Sequence, residues 1–283
     1  MKSTAELDSG HGTAKRSWLV RWWKRLIGAL ALYLLFAYLV LPRLWVHHEH
    51  QPGLAAKGAV THTADGIPGD PLNVGIVGDK TDLLRAMSDA GWVPADPITL
   101  KSSLEISASV VFDRPDAEAP VSPLYFEGRK QDLAFEKPIG TSADRRNHVR
   151  FWHVLDKGVE GRPVWLGSAT QDAGVSLSRD TGQVTHRIAP DIDAERDLLI
   201  GELVKAKVVT ELYQVSGVGP TLSGRNGEGD PYRTDGEIHI AVLSPGAVPV
   251  TAAPKVEKDP FLIRSKDQVW AGLEKILGPD PAQ

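Results

Sequence analysis

The spacing of apolar and polar residues changes along the chain and predicts which segments form helices and which form strands. Apolar residues recur at intervals of three and four in residues 80–92 and 192–207, as in amphipathic helices. Alternating or β-rich stretches interrupted by Gly and Pro occupy residues 104–190 and 208–244, and a short apolar strand precedes the first helix. This order predicts one α+β domain whose strands are mainly antiparallel.

The longest apolar stretch, LIGALALYLLFAYLVL at residues 26–41, contains sixteen residues and no charge. A helix of this length measures roughly 24 Å, against roughly 30 Å for the core of a bilayer. Trp22 and Trp45 flank the stretch, as is typical of aromatic side chains at membrane interfaces. A buried core helix rarely has a basic flank, and the residues that follow lack the small side chains of a signal-peptidase site. We therefore predict a transmembrane signal anchor at residues 26–46.

Charge is distributed unevenly on the two sides of this anchor. Residues 1–25 carry six basic and two acidic side chains, whereas the remainder carries 26 basic and 34 acidic side chains. By the positive-inside rule the N-terminus stays in the cytoplasm and the body is exported, which predicts an inner-membrane protein with a periplasmic domain. An acidic body does not favour nucleic-acid binding. The chain has no cysteine, which excludes disulfides, thiolate zinc sites and a cysteine nucleophile.

Composition divides the chain into six predicted segments. They are a basic N-terminus at 1–25, the anchor at 26–46, a flexible tether at 47–69, the main domain at 70–245, a Pro/Ala-rich linker at 246–263 and an amphipathic helix at 264–277. In the last segment Val269, Trp270 and Leu273 share a face. This helix is expected to pack on the domain, with a bilayer surface or a protein partner as alternatives.

Five ordered segments of the predicted domain resemble a known family. In chain order they are VSPLYFEGRKQDLAFEKPIG, RRNHVRFWHV, WLGSATQD, THRIAPDIDAERD and GRNGEGDPYRTDG. Together they are similar to the LssY C-terminal domain over residues 70–244. The resemblance implies a bacterial envelope protein. In larger bacterial relatives such a domain follows multi-helix membrane regions, so the resemblance also implies an envelope protein or a lipid-phosphatase-like membrane protein as a partner.

That association invites a comparison with the phosphatidic-acid phosphatase motif SRx5Hx3D. Ser178, Arg179, His186 and Asp191 are spaced SRx6Hx4D, one residue longer in each gap. The companion PSGH and KxxxxxxRP motifs do not occur in the sequence. The chain is therefore not predicted to carry this phosphatase chemistry.

The stretch VTHRIAPDIDAERDLLIGEL at residues 184–203 is rich in acids and has two interpretations. In the first, Asp191, Asp193, Glu195 and Asp197 begin the following helix. One of them caps the first turn, and the others complement the positive end of the helix dipole. This interpretation accounts for the acids but leaves His186 without a role.

In the second interpretation, His148 and His186 converge with Asp172 to bind zinc or another divalent metal, and Asp191 is a further catalytic group. Histidine and carboxylate ligands with an open position are typical of hydrolytic metal sites. Histidines on strands are also typical of structural hydrogen-bond networks, so both interpretations stay open. An anionic ligand would be bound by four polar residues, Arg179, Arg225, Asn226 and Arg233.

Two functions follow from these interpretations. The first is a membrane-anchored envelope protein whose exported domain is a binding or accessory module. The second is a metal-dependent or acid–base hydrolase that acts on an anionic substrate derived from an envelope lipid or glycan. The hydrolase requires His148, Asp172 and His186 to meet in one pocket. The sequence has no GxSxG motif, which disfavours a serine hydrolase of the common type.

Overall fold

The computed structural model describes residues 11–40, 50–54, 56–95, 123–139, 146–177, 184–216 and 223–277. The chain divides into two compact units, Met1–His48 and Glu49–Gln283. The first contains helix α1, His11–Leu35, which continues as a π-helical turn at Phe36–Val40.

An apolar N-terminal helix is confirmed. Within it, Trp18–Val40 is long and apolar enough to cross a membrane, with a mean hydropathy of 1.5. Its apolar side chains are exposed rather than packed in a core; Tyr33, for example, is 63% exposed. The stretch begins at Trp18 rather than at Leu26, because the helix starts before the basic residues that precede the predicted anchor. The predicted end of the anchor, 41–46, lies outside the described residues.

The second unit mixes helices and strands, which confirms the predicted α+β class. Its helices are α2 (Lys80–Asp89), α3 (Ile192–Lys205) and α4 (Phe261–Leu277). Its strands are β1 (Val60–His62), β2 (Pro68–Pro71), β3 (Val74–Val77), β4 (Val93–Pro94), β5 (Tyr125–Phe126), β6 (Arg129–Lys130), β7 (Leu133–Pro138), β8 (Arg146–Leu155), β9 (Val164–Leu177), β10 (Val184–Ile188), β11 (Val209–Ser216), β12 (Ser223–Arg225), β13 (Pro231–Arg233), β14 (Glu237–Leu243) and β15 (Lys255–Val256).

The largest sheet has the strand order β15-β11-β14-β3-β9-β8-β7-β4, and β10 also pairs with β9. Neighbouring strands are antiparallel except for β3 with β14 and β15 with β11. A smaller sheet has the order β2-β1-β5-β6, and β12 and β13 form a separate hairpin. The mainly antiparallel pairing follows the prediction.

The two faces of the large sheet pack against different partners. On one face, Leu83 of α2 and Leu199 of α3 join Val149 and Phe151 of β8 in a buried cluster. On the other face, Trp152 of β8 lies in a second buried cluster that includes residues of the small sheet, such as Phe126. Because successive side chains of a strand point to opposite faces, the even-numbered positions of β8 belong to the second face.

The predicted tether at 47–69 is wrong over most of its described part. Strand β1 and the start of β2 lie within it. Leu54 is fully buried in the second cluster. Gln51 is also fully buried, and its side-chain nitrogen donates to the hydroxyl of Tyr213 at 2.7 Å. A composition rich in His, Gly and Ala without periodicity suggested a flexible segment, but these contacts make it part of the domain.

The predicted linker at 246–263 is also partly ordered by the domain. Strand β15 adds to the edge of the large sheet beside β11. Helix α4 begins at Phe261 rather than at residue 264, and Ile263 is 3% exposed. Strand β15 is two residues long, which is too short to give a periodic signal in the sequence.

Candidate functional site

The acids at the start of α3 first act on the helix itself. Asp191 is the N-cap residue, and its carboxylate accepts a hydrogen bond from the backbone N–H of Ala194 at 3.1 Å. This bond satisfies one of the donors that a helix leaves free in its first turn. Asp191 is therefore a helix cap, as the first interpretation predicts. Its side chain is exposed to solvent.

A buried arginine holds the other acids of this region. Arg196, 2% exposed, contacts Asp193 at 3.1 Å, Asp197 at 2.8 Å and Asp235 at 2.9 Å. Asp193 also accepts from the backbone N–H of Asp235 at 2.7 Å, which ties α3 to the loop before β14. Burial raises the pKa of Asp193 to about 6, although Arg196 opposes the shift.

The pKa values of Glu195 and Asp197 in this helix are shifted in opposite directions. Glu195 is 4% exposed, and its burial together with the nearby carboxylate of Glu202 raises its pKa to about 8. The side chain of Asp197 is 57% exposed; its partial desolvation acts to raise the pKa, but hydrogen bonds from His239 and Arg196 outweigh this effect and lower the pKa to about 2. Through these contacts the acidic stretch connects the start of α3 to the loop before β14.

A second group of charged residues lies on the opposite face of the large sheet, and we call it the polar layer. It continues the second apolar cluster along β8 and β9, where side chains two residues apart share a face. Its members are Asp70, Glu136, Arg146, His148, Arg150, Ser168, Thr170 and Asp172.

Within the polar layer, the structure brings together two of the predicted site residues, His148 and Asp172. The distance from His148 Nε2 to Asp172 Oδ1 is 3.4 Å, and their residues are 5% and 1% exposed. Arg146 pairs with the same carboxylate at 3.3 Å and with Glu136 at 3.0 Å. An imidazole beside a buried carboxylate is the arrangement of a general acid–base pair, and it is equally the arrangement of a structural network.

A second ion pair extends the polar layer toward the small sheet. Arg150 of β8 lies 3.5 Å from the carboxylate of Asp70 in β2, and both residues are buried. Burial raises the pKa of Asp70, while the guanidinium of Arg150 and a hydrogen bond from Asn226 act in the opposite direction. Removing either partner would leave the other charge buried.

The hairpin β12–β13 rests on the polar layer through its turn. Besides the contact of Asn226 with Asp70, the backbone N–H of Gly227 donates to Pro68 at 2.7 Å. A side chain at residue 227 would collide with the backbone of Pro68. The glycine therefore allows the hairpin turn to approach β2 closely. Asp230 accepts from the backbone N–H of Ile188 at 3.2 Å, which fixes the turn to β10.

The charged residues of the hairpin differ in their exposure to solvent. Arg225 is exposed and donates to the carbonyl of Gly229 at 2.7 Å, whereas Asp230 is 8% exposed. Arg233 is half-buried, and its backbone N–H donates to Pro190 at 2.7 Å. Arg187, with a side chain 60% exposed, pairs with Asp230 at 3.3 Å.

The remaining site candidates from the sequence have different outcomes. The backbone of His186 pairs with Val175 in the β9–β10 ladder, but its side chain is outside the described part of the structure. Arg179 lies outside the described residues altogether. Among the residues that the structure does describe, no group of three or more His, Asp or Glu side chains could hold a metal ion. The zinc hypothesis thus depends on His186.

Sequence reasoning missed Asp70, Glu136, Arg146 and Arg150 as members of this region. A signal for two of them was present in RRNHVRFW, where Arg146, His148 and Arg150 alternate with side chains of the apolar core. Charges at every second position of a buried strand indicate a buried polar face. Asp70 and Glu136 lie on other strands, and only the sheet pairing brings them close.

A comparison with protein-family models decides the family of this chain. The model described as LssY C-terminus matches residues 49–238, more than half of the chain. The chain belongs to the LssY C-terminus family. The matched LssY region contains the whole polar layer, the start of α3 and the hairpin β12–β13. Neither the curated proteins nor the solved structures that were searched gave a match. The family match and the apolar helix fit a membrane-anchored protein.

Proposed function

We propose that this is a single-pass inner-membrane protein of the bacterial envelope whose exported LssY domain is a binding or accessory module for an anionic ligand. The ligand class is a phosphate or carboxylate group of an envelope lipid or glycan. A separate membrane enzyme that handles such a lipid, or another envelope protein, is the expected partner.

The observation that supports this proposal is the difference between the charged residues of the polar layer and those of the hairpin. In the polar layer, Arg146 and Arg150 are each engaged with buried carboxylates. At the hairpin, Arg225 faces solvent while Asp230 is buried against β10. The positive charge of Arg225 is therefore presented outward and the carboxylate of Asp230 is withheld, while Arg233 and the turn acid Glu228 are both half-buried.

The register of the hairpin supports a shared anion site. Arg225 pairs with Pro231 and Ser223 pairs with Arg233, so the two arginines are diagonal neighbours on one face. Such neighbours lie roughly 7–8 Å apart, a spacing that one phosphate or carboxylate can bridge. Guanidinium groups donate in pairs to the oxygens of these anions.

The test uses the full-length protein in detergent and follows its thermal unfolding midpoint during titration with soluble ligands. One arm uses glycerol 3-phosphate and the other uses glucuronate, which separates a phosphate from a carboxylate. Binding to the folded state raises the midpoint with ligand concentration. We expect the double variant Arg225→Ala/Arg233→Ala to lose most of that rise in whichever arm shows it.

Arg129→Ala is the matched control, because Arg129 is 54% exposed and lies on β6, outside the hairpin. It should keep the ligand-induced rise of the parent protein. If neither ligand raises the midpoint, or if the hairpin variant and the control respond equally, the anion-binding proposal fails.

The proposed orientation is tested separately from binding. The basic residues before the anchor place the N-terminus in the cytoplasm by the positive-inside rule. A reporter that is active only outside the cytoplasm, fused after Gln283, should be active in a two-membrane bacterium. Activity of a cytoplasm-specific reporter at the same position would reverse the assignment.

A second candidate function, an acid–base or metal-dependent hydrolase, is favoured by the contact of His148 with Asp172. Its test is elemental analysis of the full-length protein without a histidine tag. About one bound zinc or manganese per chain, lost on replacing either His148 or His186 with alanine, would support this function. No bound metal, together with unchanged stability in chelator, would leave the binding module as the function to pursue.

A further inference from the structure

Exposed apolar side chains of the second unit concentrate near its C-terminal end. In the described part of Glu49–Gln283, seven large hydrophobic side chains are exposed, and five of them lie between residues 248 and 269. These five are Val248, Val256, Phe261, Leu262 and Val269, with exposures from 46% to 72%. We call residues 248–269 the C-terminal surface.

Polar and apolar contacts fix the first half of α4 to the domain. Ile263 is 3% exposed, the amine of Lys266 pairs with the buried carboxylate of Glu237, and Gln214 donates to Asp267 at 3.1 Å. Because these inner positions are engaged, Phe261, Leu262 and Val269 point away from the domain. The helix is thus held with an apolar face uncovered.

The exposed charges of the C-terminal surface are basic. Lys255, Lys258 and Arg264 are exposed, and Lys255 also pairs with Glu211 of β11, whereas the acids of the same stretch are half-buried. Glu257 pairs with His50 at 2.8 Å, and Asp267 is engaged with Gln214 and Lys266. Apolar side chains interspersed with basic ones favour contact with an anionic surface.

We propose that the C-terminal surface lies on an anionic lipid bilayer and gives the domain a second membrane contact. Amphipathic helices bind bilayers by inserting apolar side chains between head groups, while nearby lysine and arginine side chains contact the anionic lipid. The same chain carries a helix able to span a membrane, so its domain meets a bilayer at a high effective concentration. A weak contact of a few side chains is therefore sufficient.

The absence of cysteine allows a direct test on the full-length protein. Val269→Cys and Phe261→Cys are each labelled with a polarity-sensitive fluorophore and reconstituted into vesicles that contain a spin-labelled quencher lipid. One set of vesicles is phosphatidylcholine alone, and the other also contains phosphatidylglycerol. We expect several-fold stronger quenching of both labels in the anionic vesicles.

Val159→Cys is the matched control, since Val159 is 54% exposed and lies outside the C-terminal surface. Its label should be quenched weakly in both vesicle types. The charge-reversal variant Lys258→Glu/Arg264→Glu, combined with Val269→Cys, should lose the preference for anionic vesicles. Each basic residue contributes roughly fivefold to partitioning at an anionic surface, so the double change is readily measured.

Two outcomes overturn the proposal. One is quenching at Val269 and Phe261 no stronger than at Val159 in both vesicle types. The other is a signal that depends on the protein-to-lipid ratio but not on the quencher lipid, which assigns the surface to a second copy of the chain. Thermal unfolding midpoints equal to that of the unlabelled parent establish that each variant is folded, and the two cysteine positions serve as replicates.

Discussion

The start of α3 and the polar layer are both built from buried carboxylates and arginines, but they are assembled from the chain in different ways. At α3, four acids lie within seven residues, and two of them, Asp193 and Asp197, pair with Arg196, which also pairs with Asp235 of the loop before β14. In the polar layer, the charged residues come from β2, β7, β8 and β9. A dense local cluster here serves its own helix, whereas the dispersed cluster lies between two sheets.

The two regions also differ in how their charges are balanced. Arg196 has several carboxylate partners, two of which, Asp193 and Asp197, belong to its own helix. Arg150 has Asp70, which comes from another sheet. The first arrangement stabilises one helix end, and the second connects layers of the fold. Substitutions in the polar layer should therefore affect the whole domain.

The largest expected effect is that of Arg150→Ala. The substitution leaves the carboxylate of Asp70 buried without its guanidinium partner, which costs about 3–5 kcal/mol of the free energy of unfolding. Urea unfolding of the full-length protein in detergent measures this loss. The matched control is Arg129→Ala, because Arg129 also pairs with an aspartate, Asp132, but the two side chains are 54% and 34% exposed. That control should lose less than about 1 kcal/mol.

A compensating pair sharpens the same comparison. In Asp70→Asn/Arg150→Met neither side chain is charged, so most of the stability lost in Arg150→Ala should return. Hairpin binding of an anion should also persist, because Arg225 and Arg233 are unchanged. If Arg150→Ala is as mild as Arg129→Ala, the polar layer is not the connection between sheets that its burial indicates.

The second prediction concerns pH and the start of α3. Burial raises the pKa of Glu195 from 4.5 to about 8, so the folded state holds this proton after the unfolded state has released it. The contribution of Glu195 to stability is therefore fully present below pH 4.5 and is lost as pH rises toward 8; between pH 4.5 and 7 the loss is on the order of 3 kcal/mol. Urea unfolding at a series of pH values measures the slope.

Glu195→Gln is the informative variant, because glutamine keeps the shape of the protonated acid and does not titrate. Between pH 6 and 8 its stability should change much less than that of the parent. Asp193 has a pKa of about 6, so its own contribution to the pH dependence falls below this window. Equal slopes for parent and variant would mean that Glu195 is solvated in the folded protein.

Elements with a strong local pattern were predictable from the sequence. The periodic residues of α3 and the cap at Asp191 gave its start at Ile192, and its end at Lys205 lies close to the prediction. Gly91, with a φ of 79°, follows α2 as expected of a residue that ends a helix. The apolar helix and the α+β class also follow from composition and spacing alone.

Features that depend on distant pairing were not predictable in the same way. Residues 50–69 show no helical or strand periodicity, and their place in the fold depends on contacts such as that of Gln51 with Tyr213. His148 and Asp172 were proposed together with His186 as one site, and the structure places the first two on adjacent strands, a pairing that nothing local in the sequence fixes. Glu136 and Asp70 are missing from that prediction because nothing local marks an acid that will face an arginine on another strand.

The smallest expected effect is that of Asp191→Ala, and it separates the two interpretations of the acidic stretch most directly. Loss of the cap to Ala194 should reduce the free energy of unfolding by about 1 kcal/mol. Asp191→Asn, which keeps an acceptor oxygen, should lose only part of this. Because Asp191 is exposed and its bond is local, anion binding at the hairpin should be unchanged in both variants. If the two variants instead abolish a measured hydrolytic activity while stability changes by this small amount, Asp191 acts in catalysis as well as in capping. Neutral stability with lost binding would show that the helix start contributes to the ligand site, and the division between the two regions would then be wrong.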